Sequence, residues 1–252
     1  MPYSVVLRFS QVLVAGGNSL GPVSLDAAGR GRRITRAQLS SAGPEQIHAS
    51  VVPEGEARRV RVATADLGRL LRDFDLAREL QGGALTVDGM FDDRIASEPF
   101  SGTLTLSQFR VQGAPWIGKL LQGMTLYGLV DALRGPGLVF DKLSAPFNID
   151  GSVINVQHAQ TSSSSLGMTA QGSLDFRHAT MDLQGTIVPA YFFNTLPGRM
   201  PLIGHLLSPE PGGGLFAATY SLRGPIDSPA VRVNPLAALT PGALRGLFGL
   251  FN

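Results

Sequence analysis

The stretch LGMTAQGSLDFRHATMDLQG, residues 166–185, sets the pattern from which the fold follows. Its apolar residues alternate with polar or small ones on either side of a polar centre: Leu166, Met168 and Ala170, then Met181 and Leu183. Successive side chains of a β-strand point to opposite faces, so each half of the stretch has one apolar and one polar face. The stretch therefore predicts two strands of an antiparallel sheet with one side buried.

The same alternation recurs in short segments along most of the chain, from residues 5–9 to residues 216–222. A polar residue followed by Gly closes several of these segments, for example at 170–172 and 183–185. Gly supplies a positive φ or a bulge where strands bend or reverse. The sequence therefore predicts a mainly β protein, built as a curled antiparallel sheet with a few short helices.

Composition limits the function classes that fit the chain. Of 252 residues, 44% are hydrophobic and 16% are charged, against roughly 25% charged in typical soluble domains. The net charge is +2, and the arginines are scattered without interleaved aromatic residues, so no nucleic-acid partner is expected. The absence of cysteine excludes disulfides, zinc–thiolate sites and cysteine nucleophiles.

Membrane insertion by a helix is not expected from this sequence. No stretch approaches the roughly 18 consecutive apolar residues of a membrane span. At the N-terminus, Arg8 interrupts the apolar residues, which alternate as they do in a strand rather than forming the core of a signal peptide. We therefore expect a chain that neither spans a membrane nor directs its own export.

Several segments have helical rather than strand spacing. Thr64 is predicted to cap a helix that continues to Phe74. Pro115 is predicted to open a helical segment that ends before the Gly-Pro-Gly at 135–137. Another apolar cluster, bounded by prolines, surrounds Leu202 and Leu206.

A terminal helix is predicted from Thr240 as N-cap and Pro241 as first helical residue. Its apolar residues are Leu244, Leu247, Phe248 and Phe251. A helix with so little polar surface is expected to be buried, paired or lying on a membrane. We expect this one to close the end of an apolar groove or to insert into a membrane surface or partner.

Catalytic and metal-binding patterns are weak. Residues 17–21 match the G-x-S-x-G nucleophile elbow around Ser19, but the residues that follow predict a strand where the elbow needs a helix. The histidines lack the spacing of a helical metal pair, and His48 and His158 fall on the polar phase of strands. We therefore predict no enzyme activity, no catalytic residues, no metal and no cofactor.

Several phrases, taken in order, resemble the C-terminal region of AsmA-like proteins of the YhdP type over residues 63–251. They are GGALTVDG at 82–89, GLVFD at 137–141, GTIVPAY at 185–191, GLFAATY at 214–220, GPIDSP at 224–229 and VNPL at 233–236. Residues 1–62 match only in their strand character. The chain is accordingly divided into a strand segment, 1–62, and an AsmA-like region, 63–252, which we expect to share one continuous sheet.

The resemblance implies a taco-shaped β-groove whose apolar interior carries the tails of phospholipid or another acyl-chain lipid. It implies a periplasmic, inner-membrane-associated position in the cell envelope, with an inner-membrane-anchored chain as a possible partner. From the common phase of the alternating strands, ten residues are candidates to line the groove: Leu104, Leu106, Phe147, Ile149, Ile154, Val156, Leu183, Phe216, Ala218 and Tyr220.

Two alternatives are consistent with the same sequence. In the first, the sheet is closed as an ordinary β core and the chain is a structural or assembly module of the envelope. In the second, which is remote, Ser19 belongs to a serine hydrolase, and this predicts a helix after Gly21 and a histidine near the serine.

Overall fold

A computed structural model describes residues 1–124, 126–189 and 218–234. Thirteen strands form one antiparallel sheet in which spatial order follows chain order. They are β1 (Pro2–Phe9), β4 (Val23–Arg30), β5 (Arg33–Ser41), β6 (His48–Glu54), β7 (Ala57–Thr64), β8 (Leu80–Asp92), β9 (Phe100–Val111), β10 (Leu138–Asp150), β11 (Val153–Ser162), β12 (Leu166–Asp175), β13 (Thr180–Pro189), β14 (Ala218–Pro225) and β15 (Ala230–Asn234). The first and last of these strands do not pair with each other, so the sheet is open, and the predicted fold class is confirmed.

The connections differ between the two ends of the sheet. At one end, the hairpin end, tight turns join β6 to β7 and β10 to β11, with Gly55 and Gly151 at positive φ. The opposite, helical end carries α1 (Leu67–Asp73), α2 (Pro115–Gly123) and α3 (Tyr127–Arg134). It also carries a small hairpin of β2 (Val12–Leu13) and β3 (Ser19–Leu20).

The N-cap of α1 differs from the sequence prediction. Asp66 is the cap, because its Oδ1 accepts a hydrogen bond from the Arg69 backbone N–H at 2.8 Å. Thr64 is instead the last residue of β7, and its hydroxyl donates to the Glu45 carbonyl oxygen. The predicted boundary at residues 62 and 63 falls inside β7, and the sheet runs through it.

The register gives the sheet one apolar face, which we call the inner face, and one polar outer face. The inner face starts at Leu7 of β1, opposite Leu25 of β4, and extends across every strand to Val233 of β15. In β9 the inward phase shifts by one residue between Leu106 and Phe109, where Gln108 has a φ of 54°. A matching shift in β10 keeps neighbouring apolar side chains together across the irregularity.

The sheet curls toward its inner face around α2. This helix is separated from the end of β9 by three residues, packs into the core on the inner face and contacts β15, six strands away from β9. Six strand spacings of a flat sheet cover about 29 Å, whereas a nine-residue helix is only about 14 Å long. The inner face is therefore concave where α2 lies.

Candidate functional site

Nine of the ten predicted groove residues lie on the inner face. Phe147 is opposite Val156, and Ile149 is opposite Ile154, in the ladder between β10 and β11. The other described candidates take the same phase in β9, β13 and β14: Leu104, Leu106, Leu183, Ala218 and Tyr220. Phe216, the residues around Leu202 and Leu206, and the terminal-helix residues Leu244, Leu247, Phe248 and Phe251 lie outside the described residues.

The outer face is polar along the same strands. Thr105 and Ser221 point outward, as the alternation predicts. Ion pairs between neighbouring strands occur on this face, including Arg8 with Asp26 at 2.8 Å. The sheet therefore separates an apolar surface from a charged one over its whole width.

Two zones of the inner face differ in what packs on them. The covered zone lies beneath α2 and α3, and its side chains form the main core with Leu120 and Leu121, which are both 0% exposed. The open zone comprises the inner residues of β1 and β4–β7. Its large apolar side chains at 36–46% exposure are Tyr3, Val5, Leu7, Phe9 and Ile34.

The hairpin end of the open zone carries a buried cation. Arg58 of β7 is 5% exposed and shares the inward phase of Val60 and Val62. Its guanidinium pairs with Asp93 at 2.8 Å and with Glu98, and it lies 4.6 Å from the centre of the Phe91 ring. Arg58 is therefore a buried, paired cation rather than a solvated surface residue.

The loop between β8 and β9 completes this ion-pair cluster. Glu98 also pairs with Arg33 of β5 at 2.6 Å, so the loop reaches back over two intervening strands. The hydrogen bond from Arg33, with the nearby charge of both arginines, lowers the pKa of Glu98. The carboxylates neutralise Arg58, and this edge of the apolar face is fixed by paired charges.

The helical end of the open zone carries a second polar group. Glu45, in the loop between β5 and β6, is 2% exposed. Its Oε1 accepts a hydrogen bond from the Ser41 hydroxyl at 2.9 Å. Its carbonyl oxygen accepts from Thr64, so the loop is tied to β5 and β7. The apolar surface of the open zone is thus bounded by polar groups at both strand ends.

Arg58 and Glu45 were not predicted as structural residues from the sequence. For Arg58 a signal was present, since it lies at the same phase as Val60 and Val62, whereas Arg59 and Arg61 lie at the opposite phase. Glu45 lies in a loop, where no alternation indicates which way its side chain points.

The arrangement around Ser19 is not that of a nucleophile elbow. Ser19 belongs to the two-residue strand β3, and its Oγ accepts a hydrogen bond from Gln11 Nε2 at 2.6 Å. The next element is strand β4, beginning at Val23, rather than the helix an elbow requires. Of the histidines, His48 lies on the outer face, and His178 bonds Asp175 at 2.6 Å.

Within residues 1–124, 126–189 and 218–234, no three His, Asp or Glu side chains come together as a metal site would require. The helices found in the same ranges are all too short to cross a membrane. What the inner face offers chemically is a large apolar surface with neutralised charges along its edges.

Comparison with known proteins adds no assignment: neither the protein-family models nor the curated proteins nor the solved structures give a match to this chain.

Proposed function

We propose that this protein binds the acyl chains of lipids along the open zone of its inner face. The observation that carries the proposal is the row of partly exposed, large apolar side chains on β1 and β5, which continues the same face that α2 covers elsewhere. Contiguous exposed apolar surface of this kind is typical of binding sites.

The physical chemistry of the surface fits acyl chains better than polar ligands. Each methylene removed from water contributes about 0.8 kcal/mol, without any directional contact. The charges at the hairpin end of this surface, Arg58 and Glu98, are already paired with each other. A lipid tail could therefore lie at many equivalent positions along the face, and this permits movement between them.

The resemblance to AsmA-like proteins extends this proposal to phospholipid transport across the bacterial envelope. In that setting the protein would occupy the periplasm next to the inner membrane and would exchange lipid with a membrane surface or an anchored partner. The sheet is not closed, because the first and last of its described strands do not pair with each other, and this is consistent with a surface that lipid enters and leaves.

Photo-crosslinking tests the binding proposal. Benzoylphenylalanine is placed at Leu39, on the inner face of β5, or at Gln38, the adjacent outward position on the same strand. After expression in a Gram-negative host and irradiation, mass spectrometry should find phospholipid attached at position 39 and not at position 38. Equal capture at both positions, or capture at 38 alone, would contradict the proposal.

The covered zone supports a second candidate function. Beneath α2 and α3 the inner face is an ordinary apolar core, as a closed structural or assembly module would have. If that description applied to the whole sheet in solution, neither crosslinking position would capture lipid. The same experiment therefore separates the two candidates.

A further inference from the structure

An apolar cavity of about 210 Å³ lies between α2 and the inner face. It is bordered mainly by large apolar side chains: Phe109, Trp116, Ile117, Phe140, Met168 and Tyr220. Trp116 and Ile117 belong to α2, and the others belong to strands of the sheet. The cavity therefore lies between two elements that otherwise pack into one core, and it is open on one side.

The strands leave room for the cavity where their inward residues are small. Ala159 of β11 is opposite Ala170 of β12 on the inner face, and both border the cavity. Beside them, Gly185 of β13 packs against the Thr169 carbonyl group and the Tyr220 ring, so an added Cβ would overlap the carbonyl and lie 2.9 Å from the ring. A larger side chain at position 170 would extend into the cavity.

The hydroxyl groups around the cavity already have hydrogen-bond partners. Tyr220 donates to the Thr169 carbonyl oxygen at 2.7 Å, and Thr161 donates to the Lys142 carbonyl oxygen at 2.9 Å. The Thr169 hydroxyl accepts from the Thr186 backbone N–H at 3.0 Å. A ligand in the cavity would therefore find apolar surface and no free hydroxyl, which selects a hydrocarbon group over a polar one.

The cavity is too small for a whole lipid but large enough for part of one. An apolar cavity of about 150 Å³ in another protein binds benzene, whereas sites for drug-sized ligands occupy roughly 300–1,000 Å³. If a methylene takes about 30 Å³, as a water molecule does in the liquid, a cavity of 210 Å³ holds about seven methylenes.

The position of the cavity connects it to the rest of the inner face. Leu143 of β10 borders it, and Ala145, Phe147 and Ile149 continue the inward row on the same strand toward the hairpin end. These residues are only partly buried. An acyl chain lying along this row would reach the cavity at Leu143.

We propose that the cavity beneath α2 receives the methyl end of an acyl chain whose remainder lies on the inner face. The proposal rests on the proposed lipid-binding function and adds a fixed terminal position for the chain. It makes binding depend on chain length, since each methylene buried changes affinity by about fourfold.

Competition binding with the full chain tests this assignment. Saturated fatty acids from octanoic to octadecanoic acid displace cis-parinaric acid, and the affinity of each is measured for the wild-type protein and for Ala170→Phe. The added ring takes the space of roughly three to four methylenes. The variant should therefore bind hexadecanoic acid about as the wild type binds dodecanoic acid, and Gln171→Phe, on the outer face, should leave the series unchanged.

The outcomes separate this inference from the proposed function. If the wild type binds fatty acids and Ala170→Phe does not shift the length series, the cavity assignment is wrong while lipid binding stands. If no fatty acid displaces the probe from the wild type, both are wrong. Should Ala170→Phe fail to fold, Ala170→Leu is expected to give about three quarters of the shift, in proportion to the volume it adds. Benzoylphenylalanine at Trp116 should then capture the methyl-terminal half of a chain, and capture of the carboxyl end there would overturn the assignment.

Discussion

The open and covered zones of the inner face share one sequence pattern and differ in burial. On β1, Leu7 lies in the inward phase and is 38% exposed, whereas on β12 Leu166 lies in the same phase and is 0% exposed. Alternation therefore determines which face a side chain takes. What covers that face is determined by the connections between strands.

The connections account for the difference. The segment between β9 and β10 spans residues 112–137 and contains α2 and α3, whose apolar sides pack onto the curled sheet. In the open zone, β5 and β6 are joined by residues 42–47, and β6 and β7 by only two residues. Connections of that length hold no helix long enough to cover the face. The same alternating strand pattern can thus yield both a core and an exposed apolar surface within one sheet.

The largest expected contrast between the zones is in stability. Leu120→Ala removes a fully buried side chain from α2 and should lower the free energy of unfolding by about 2–5 kcal/mol. Leu39→Ala makes the same chemical change on the open zone, where burial is partial, and should cost about 1 kcal/mol. Urea denaturation of both variants measures the difference. Equal costs would mean that the open zone is packed as tightly as the core.

A smaller effect is expected from the charges that fix the hairpin end of the open zone. Arg58→Ala leaves Asp93 and Glu98 without their shared partner. Because Glu98 is 29% exposed, we expect the free energy of unfolding to fall by about 2 kcal/mol, which is less than the 3–5 kcal/mol lost when a fully buried pair is broken.

Arg59→Ala is the matched control for Arg58. This neighbouring arginine faces outward and pairs with Asp88 at 2.9 Å, with its side chain 39% exposed. An exposed pair of this kind contributes little to stability, because water screens it. If the two variants unfold at the same urea concentration, the Arg58 cluster does not stabilise the open zone.

Much of the sheet could be predicted from the sequence because alternation is a local property. The pairs Phe147 with Val156 and Ile149 with Ile154 take the predicted common face even though their strands are bulged elsewhere. The end of the second helical segment before the Gly-Pro-Gly at 135–137 was also predictable, since that tripeptide stops a helix locally.

Other features depend on contacts between distant residues and could not be predicted in this way. The N-cap of α1 is Asp66 and not the predicted Thr64, because β7 extends through Thr64. The Thr64 hydroxyl instead donates a hydrogen bond to the loop between β5 and β6. The phase shift at Gln108 follows from adjacent irregularities in several strands. The division of the inner face into two zones depends on where α2 packs, and residue alternation carries no information on that.

The smallest expected effect concerns two hairpin turns, one at the end of β8, beside the open zone, and one at the end of β12, in the covered zone, which should behave alike. Hydrogen bonds from the Arg94 side chain and backbone lower the pKa of Asp92, at the end of β8, to about 2. A hydrogen bond from His178, with backbone N–H groups and Ser152 assisting, lowers the pKa of Asp175, at the end of β12, to about 2. A carboxyl whose pKa is lowered by folding stabilises the folded state above its unfolded pKa of about 4. That contribution is lost as the pH falls through about 2.

Carboxyl-carbon NMR titration between pH 2 and 6 tests this similarity. Arg94→Gln should raise the pKa of Asp92 toward its ordinary value and leave the pKa of Asp175 unchanged. His178→Ala should raise the pKa of Asp175 and leave that of Asp92 unchanged, because each partner acts only on its own turn. Both turns are solvent-exposed, so neither change should alter the packing of the inner face. If Arg94→Gln also shifted Asp175, the two regions would be coupled through the hairpin end. The contrast between open and covered zones would then not be confined to the inner face.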